Sequence, residues 1–123
     1  MDDIRMLLNA GGDHVTIERN IVLGNDSFGV ATVASPFAPA DPRIDPFVDD
    51  ERVARNVILL NGQRPDPERP GPPGADVVFV PHVVDFASGE TLQQDPDFSS
   101  DCFGDNRFFT EYPSGVTAGL ACP

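Results

Sequence analysis

The residues that could do chemistry are few. His14 and His82 are the only histidines, and Asp85 stands three positions beyond His82. A metal-dependent site or an acid–base pair would need those three to converge on one pocket. Nucleophilic catalysis would also need an activated serine or cysteine on a strained turn, with a base in hydrogen-bond reach. No Gly-x-Ser-x-Gly is present, and Ser99, Ser100 and Ser114 fall in loop-like sequence. Asp95-Pro96-Asp97-Phe98-Ser99-Ser100-Asp101 alternates oxygen ligands as calcium loops do. An EF-hand, however, wants glycine at its sixth position and glutamate at its twelfth, where this chain has Ser100 and Asn106. A solvated aspartate-rich turn is the better reading. Cys102 and Cys122 lack nearby histidines and so make no zinc site, and they read as free thiols. Gly11-Gly12 and Gly71-Pro72-Pro73-Gly74 lack the lysine and following helix of a phosphate loop. The sequence thus implies no catalytic residue, no metal and no cofactor, and the chain reads as a non-enzyme.

Charge sets the chemical surroundings. Twenty acidic residues face eight basic ones, giving a formal net charge of −12 over 123 residues and a pI near 4.2. Every basic residue is arginine, and fifteen of the acids are aspartate. Such a chain repels itself in dilute buffer and is relieved by salt. Abundant aspartate without lysine resembles the proteins of salt-in halophiles and their viruses. A polyanion cannot displace counterions from phosphate backbones, so direct nucleic-acid binding is not expected. No apolar run approaches a membrane span, and the acidic Met1-Asp2-Asp3 start is unlike a secretory signal.

The elements that would position any site read as strands. Ile4–Leu8 suggests a helical turn or arm. His14–Arg19 alternates, with Val15 and Ile17 on one face, and Ile21-Val22-Leu23 prolongs it to a turn at Gly24-Asn25-Asp26. Ser27–Ala34 is expected to return as the second arm of a hairpin. Arg52–Leu60 predicts a third strand. Ala75–Phe86 predicts strand structure in which Pro81 marks a bulge, an edge or a break between two short strands, and Val116–Leu120 predicts a last strand. Prolines stiffen segments 35–50 and 61–74 into extended loops or arms. No internal repeat is apparent. These features predict one all-β domain over residues 1–123, a small antiparallel barrel or sandwich with long proline-rich loops or arms.

The stretch His14-Val15-Thr16-Ile17-Glu18-Arg19, with Asn25-Asp26-Ser27-Phe28-Gly29, resembles the opening of small head-closure (stopper) proteins of tailed viruses. Asn25 replaces that family's usual basic residue. The resemblance implies a β-barrel in a ring between portal and tail, in a virion assembled in the cytoplasm of a halophilic host. Expected partners are portal, tail or major capsid proteins and other copies of the chain. Phe37, Ile44, Phe47, Val48, Pro70, Pro72 and Pro73 are the expected contact residues. A capsid decoration protein is the alternative within that class. A small metal-dependent enzyme or ligand-binding barrel is the alternative outside it.

Overall fold

In a computed structural model, the chain is described at residues 3–4, 6–35, 43, 45–64, 74–95 and 97–123. Thirteen short strands carry almost all of its regular structure: β1 (Asp3–Ile4), β2 (Leu7–Ala10), β3 (Thr16–Glu18), β4 (Ile21–Leu23), β5 (Phe28–Val33), β6 (Arg52–Ala54), β7 (Val57–Leu59), β8 (Ala75–Val80), β9 (Val83–Asp85), β10 (Glu90–Gln93), β11 (Cys102–Gly104), β12 (Arg107–Phe108) and β13 (Glu111–Tyr112). The all-β class is therefore right, but the antiparallel barrel is not. Eleven strands lie in three parallel sheets, ordered β1-β4-β7-β12, β2-β5-β8-β13 and β3-β6-β11. Each circuit of the chain lays one strand on each sheet in turn, which is a β-solenoid. The expected hairpin between 14–23 and 27–34 does not form. β4 pairs with β7 and β5 with β8, each in parallel. Among the described residues, the one antiparallel pair is the β9–β10 hairpin.

A repeat does exist. Ile17 aligns with Val53 and Phe103, and Val22 with Ile58, across neighbouring coils. In all three coils a residue with positive φ (Arg19, Arg55, Asp105) turns the chain from one sheet to the next, followed by an asparagine (Asn20, Asn56, Asn106). The coils are offset by 36 residues and then by 50, so no single period marks them.

Inward side chains alternate with outward ones along each strand. Ile17, Val22, Val30, Val53, Ile58, Val77, Phe79 and Phe103 fill the interior, and Phe79 meets Phe98 and Phe103 edge to face. The outer face of the second sheet is also apolar. Ala31, Val78 and Val80 are buried there, with Val84 and Phe86 of the β9–β10 segment packed against them. β8 is buried at all six positions for this reason.

At the C-terminal end the last residues close the solenoid. Val116–Gly119 forms a 3-10 turn where the sequence suggests a strand. The Phe103 N–H donates to the Leu120 carbonyl, and Phe103 bridges Ala121. Cys102 and Cys122 are joined in a disulfide, with Cα atoms 4.8 Å apart, and are not free thiols. The sequence separation of 20 places the two cysteines on β11 and on the tail that folds back over it. Closing such a loop contributes about 3 kcal/mol through the unfolded chain. Cys122→Ser is therefore expected to lower stability by that amount in urea denaturation, and reductant should bring the native chain to the same midpoint. Equal midpoints for all three would show that the bond contributes nothing.

Candidate functional site

Each corner of the solenoid carries a stack of polar side chains, because the turn backbone there lacks a ladder partner and must be satisfied another way. Between the β3-β6-β11 and β1-β4-β7-β12 sheets the stack is Asn20, Asn56 and Asn106. The Asn56 amide donates to the Ile17 carbonyl and to Asn106 Oδ1, at 3.0 Å each, and its Oδ1 accepts from the Asn20 N–H at 2.9 Å. At the next corner the stack is Asn25, Asn61 and Asp76. Asp76 accepts from the N–H groups of Asn61, Phe109 and Thr110 and from the Asn61 amide. Both stacks are neutral or fully bonded.

The third corner differs. It gathers the loops that lead from the β2-β5-β8-β13 sheet back to the β3-β6-β11 sheet. Successive coils deliver Asp13, then Asp45, Asp49, Asp50 and Glu51, then Asp95, Asp97 and Asp101. The same offsets hold here. The Asp49 N–H donates to Asp13 Oδ1 at 3.1 Å, and the His14 N–H to the Asp49 carbonyl at 2.9 Å. One coil on, the Asp50 N–H donates to Ser100 Oγ and the Glu51 N–H to Asp101 Oδ1.

The inner layer of this corner is out of water. Glu51 and Asp101 are each 1% exposed, and Asp95 7%. Thr32 and Asn9 donate to the two oxygens of Glu51. Burial raises the Glu51 carboxyl above its ordinary value, and these two bonds oppose the shift. Burial also pushes Asp101 up to about 7. The bond from the Glu51 N–H opposes that, while the charges of Glu51, Asp49 and Asp95 add to it. Two oxygens, Asp95 Oδ2 and Asp101 Oδ2, are buried without a hydrogen-bond partner. An orphaned buried carboxylate oxygen is costly and calls for an explanation. In the outer layer, Asp13, Asp45 and Asp49 each bring a carboxylate oxygen to within 4.8 Å of the others. Desolvation, and then the charges of Asp13, Asp45 and Asp95, raise Asp49.

The residues singled out for catalysis do not converge through any contact among the described residues. His14 sits in the surface with Nδ1 3.2 Å from Asp50 Oδ2. His82 accepts at Nδ1 from the Asp95 N–H at 2.9 Å, so a neutral ring carries its proton on Nε2. Asp85 caps the β9–β10 turn by accepting from the Ala87 N–H. His82 lines an apolar groove of about 310 Å³ with Val80, Val84, Phe86, Phe98 and Tyr112.

No family, curated protein or solved structure matches this chain. The site therefore rests on its own geometry.

Of the expected contact residues, Val48 is buried and Phe47 half-buried. Phe37, Ile44, Pro70, Pro72 and Pro73 lie outside the described residues, as does most of 35–44 and 65–73. Sequence reasoning missed Asp13, Asp45 and Asp49. The signal was there, since Asp13 and Asp49 share the 36-residue offset of Asn20 and Asn56, but it is visible only once the coil offset is known.

Proposed function

We propose that this protein is a non-catalytic structural module that makes protein–protein contacts, and that its partner adds a β-coil to the N-terminal end of the solenoid. The observation that carries this reading is the difference between the two ends. At the C-terminal end the β11 edge of the β3-β6-β11 sheet is covered by a 3-10 turn, a bridge and a disulfide, while β12 and β13 are the last described strands of the other two sheets. At the other end, β2 and β3 are the last strands of their sheets among the described residues. The Val15 carbonyl accepts from Arg52 and the Arg19 N–H donates to Ala54. Parallel pairing alternates sides residue by residue, so the backbone groups of Thr16 and Glu18 point away from β6, toward the open side. Leu8 on β2, at the N-terminal edge of another sheet, is 59% exposed. A solenoid needs polar caps at both ends to stay soluble alone, and an open strand edge templates pairing with another chain.

The proposed partner is therefore a protein that presents a strand edge: a portal, tail or capsid protein of a virion in the reading drawn from residues 14–29, or a second copy of this chain. The barrel implied by the stopper resemblance is not the fold here, so the assembly role leans on the open end. The disulfide supports a reading in which the finished protein works in oxidising surroundings, as a released particle would.

Sedimentation at molar salt tests the reading. Self-association or partner capture is expected for the native chain and not for Thr16→Pro, which removes an N–H that no described strand uses and projects a ring from the edge. A chain that stays monomeric and partner-free with either residue would sink the proposal.

A further inference from the structure

We propose that Glu51 and Asp101 form a buried acid pair that takes up protons as the chain folds, so that their corner is held tightest in mildly acid surroundings and weakens as the pair ionises toward neutral pH. The first support is where the two side chains sit and what reaches them. Both are out of water. Asn9 and Thr32 donate to the Glu51 carboxyl, and the Glu51 N–H donates to Asp101 Oδ1 at 3.0 Å. These donors are all neutral. Glu51 thereby ties β2 and β5 to the loop that carries Asp101, so the pair stands at a junction between coils.

The second is what Asp101 lacks. Its Oδ2 is buried without a hydrogen-bond partner. Asp76 is similarly buried but receives four N–H groups, two from Asn61 and one each from Phe109 and Thr110, which stand in for water. Asp101 receives a single bond, so its surroundings favour the neutral acid. The third is the sign of the charges around it. Asp49, on the loop entering β6, and Asp95, on the loop between β10 and β11, both oppose its ionisation, as does Glu51. Two neighbouring bases are turned elsewhere, His14 to Asp50 and Arg52 to Glu18.

The direction of the pH dependence follows. Burial raises Asp101 from an ordinary 3.8 to about 7, and it raises Glu51 as well. Between the unfolded and folded values the native chain holds protons that the unfolded chain has released. Stability is therefore greatest at the acid end of that window and falls as pH rises through it. Each retained proton changes the folding equilibrium by about tenfold per pH unit.

The experiment uses the whole chain in molar sodium chloride, which screens the general repulsion of its −12 charge. Urea denaturation is measured from about pH 5 to about pH 7, and the carboxyl carbons of the native chain are titrated by NMR. From Asp101 alone, the folding constant is expected to fall roughly a hundredfold over those two pH units. Asp101→Asn keeps the oxygen that accepts from the Glu51 N–H but has no proton to release, so about that much of the fall should disappear. Asp105→Asn removes an exposed charge at another corner and should keep the whole fall. The carboxyl carbon of Asp101 in the native chain should titrate near 7, well above the other aspartates at the surface, and this reading stands even if the variant does not fold. An Asp101 carbon titrating below about pH 5, or the same fall in all three proteins, would overturn the proposal.

Discussion

Asn56→Ala is expected to cost about 3–5 kcal/mol, a large part of the roughly 5–15 kcal/mol that holds a domain of this kind together. The side chain is 1% exposed and serves three coils at once. Its amide satisfies the Ile17 carbonyl of the coil before and Asn106 Oδ1 of the coil after. Its Oδ1 holds both the N–H and the amide of Asn20. Truncation leaves the Ile17 carbonyl and the Asn20 N–H without these partners beside the apolar interior, each at about 1–3 kcal/mol. Asn56→Asp should be as damaging despite its identical shape, because an oxygen would then face two acceptors. Asn20→Ala is the control. That residue is half-buried, its side chain makes one bond, to Asn56, and about 1 kcal/mol is expected. Urea midpoints at constant slope read all three. A cost near 1 kcal/mol for Asn56→Ala would mean that the stack is decoration on a fold held by its apolar interior alone.

Asn56 also shows what could be read from the sequence. Strand positions were largely legible, because alternation at Val15 and Ile17 and the apolar run at Val77–Val80 report burial directly. Of the bulge, edge or break that Pro81 signals, the structure has the break, between β8 and β9. Pairing was not legible. A turn signal such as Gly24-Asn25-Asp26 looks the same whether the chain doubles back on itself or turns a corner toward the next sheet. In a solenoid the difference lies in residues 36 or 50 positions away. The telling mark is the recurrence of a positive-φ residue followed by asparagine at 19–20, 55–56 and 105–106, spread over unequal offsets and only a few residues long at each occurrence. The disulfide escaped for a related reason. Nothing near Cys102 or Cys122 in sequence shows that the tail folds back onto β11. The acidic corner was half visible: the Asp95–Asp101 loop drew attention as a calcium-like run, while Asp13, Asp45 and Asp49 belong to it only through the stacking of coils.

The unequal offsets have a physical source, and it yields the other large effect. β4 pairs with β7 at a separation of 36 residues, but β5 pairs with β8 at 47. The eleven additional residues enter between β7 and β8, in the proline-rich stretch after Leu60. A solenoid tolerates such an insertion only if the chain leaves and rejoins the corner at nearly one point, because the sheets on either side must keep their register. Gly62 and Gly74 make that point. The Gly62 N–H donates to the Asn25 carbonyl of the coil before, at 2.8 Å, and φ at Gly62 is +77°. A Cβ on Gly62 would lie 2.1 Å from the Ala75 nitrogen, and one on Gly74 2.0 Å from the Gly62 carbonyl oxygen. Both obstacles are backbone, so no side-chain rotation relieves them. Gly62→Ala is therefore expected to cost about 3–4 kcal/mol, combining the left-handed backbone penalty with the clash. Gly24→Ala separates the two contributions. Gly24 also has positive φ, +69°, but a Cβ there meets nothing within 4 Å, so only about 1 kcal/mol is expected. If Gly62→Ala fails to fold outright, Gly74→Ser should fail with it while Gly24→Ala folds, and limited proteolysis distinguishes these cases in crude extracts. Equal costs at Gly62 and Gly24 would show that the loop base is slack. The added residues would then be part of the coil itself and not an excursion pinched off from it.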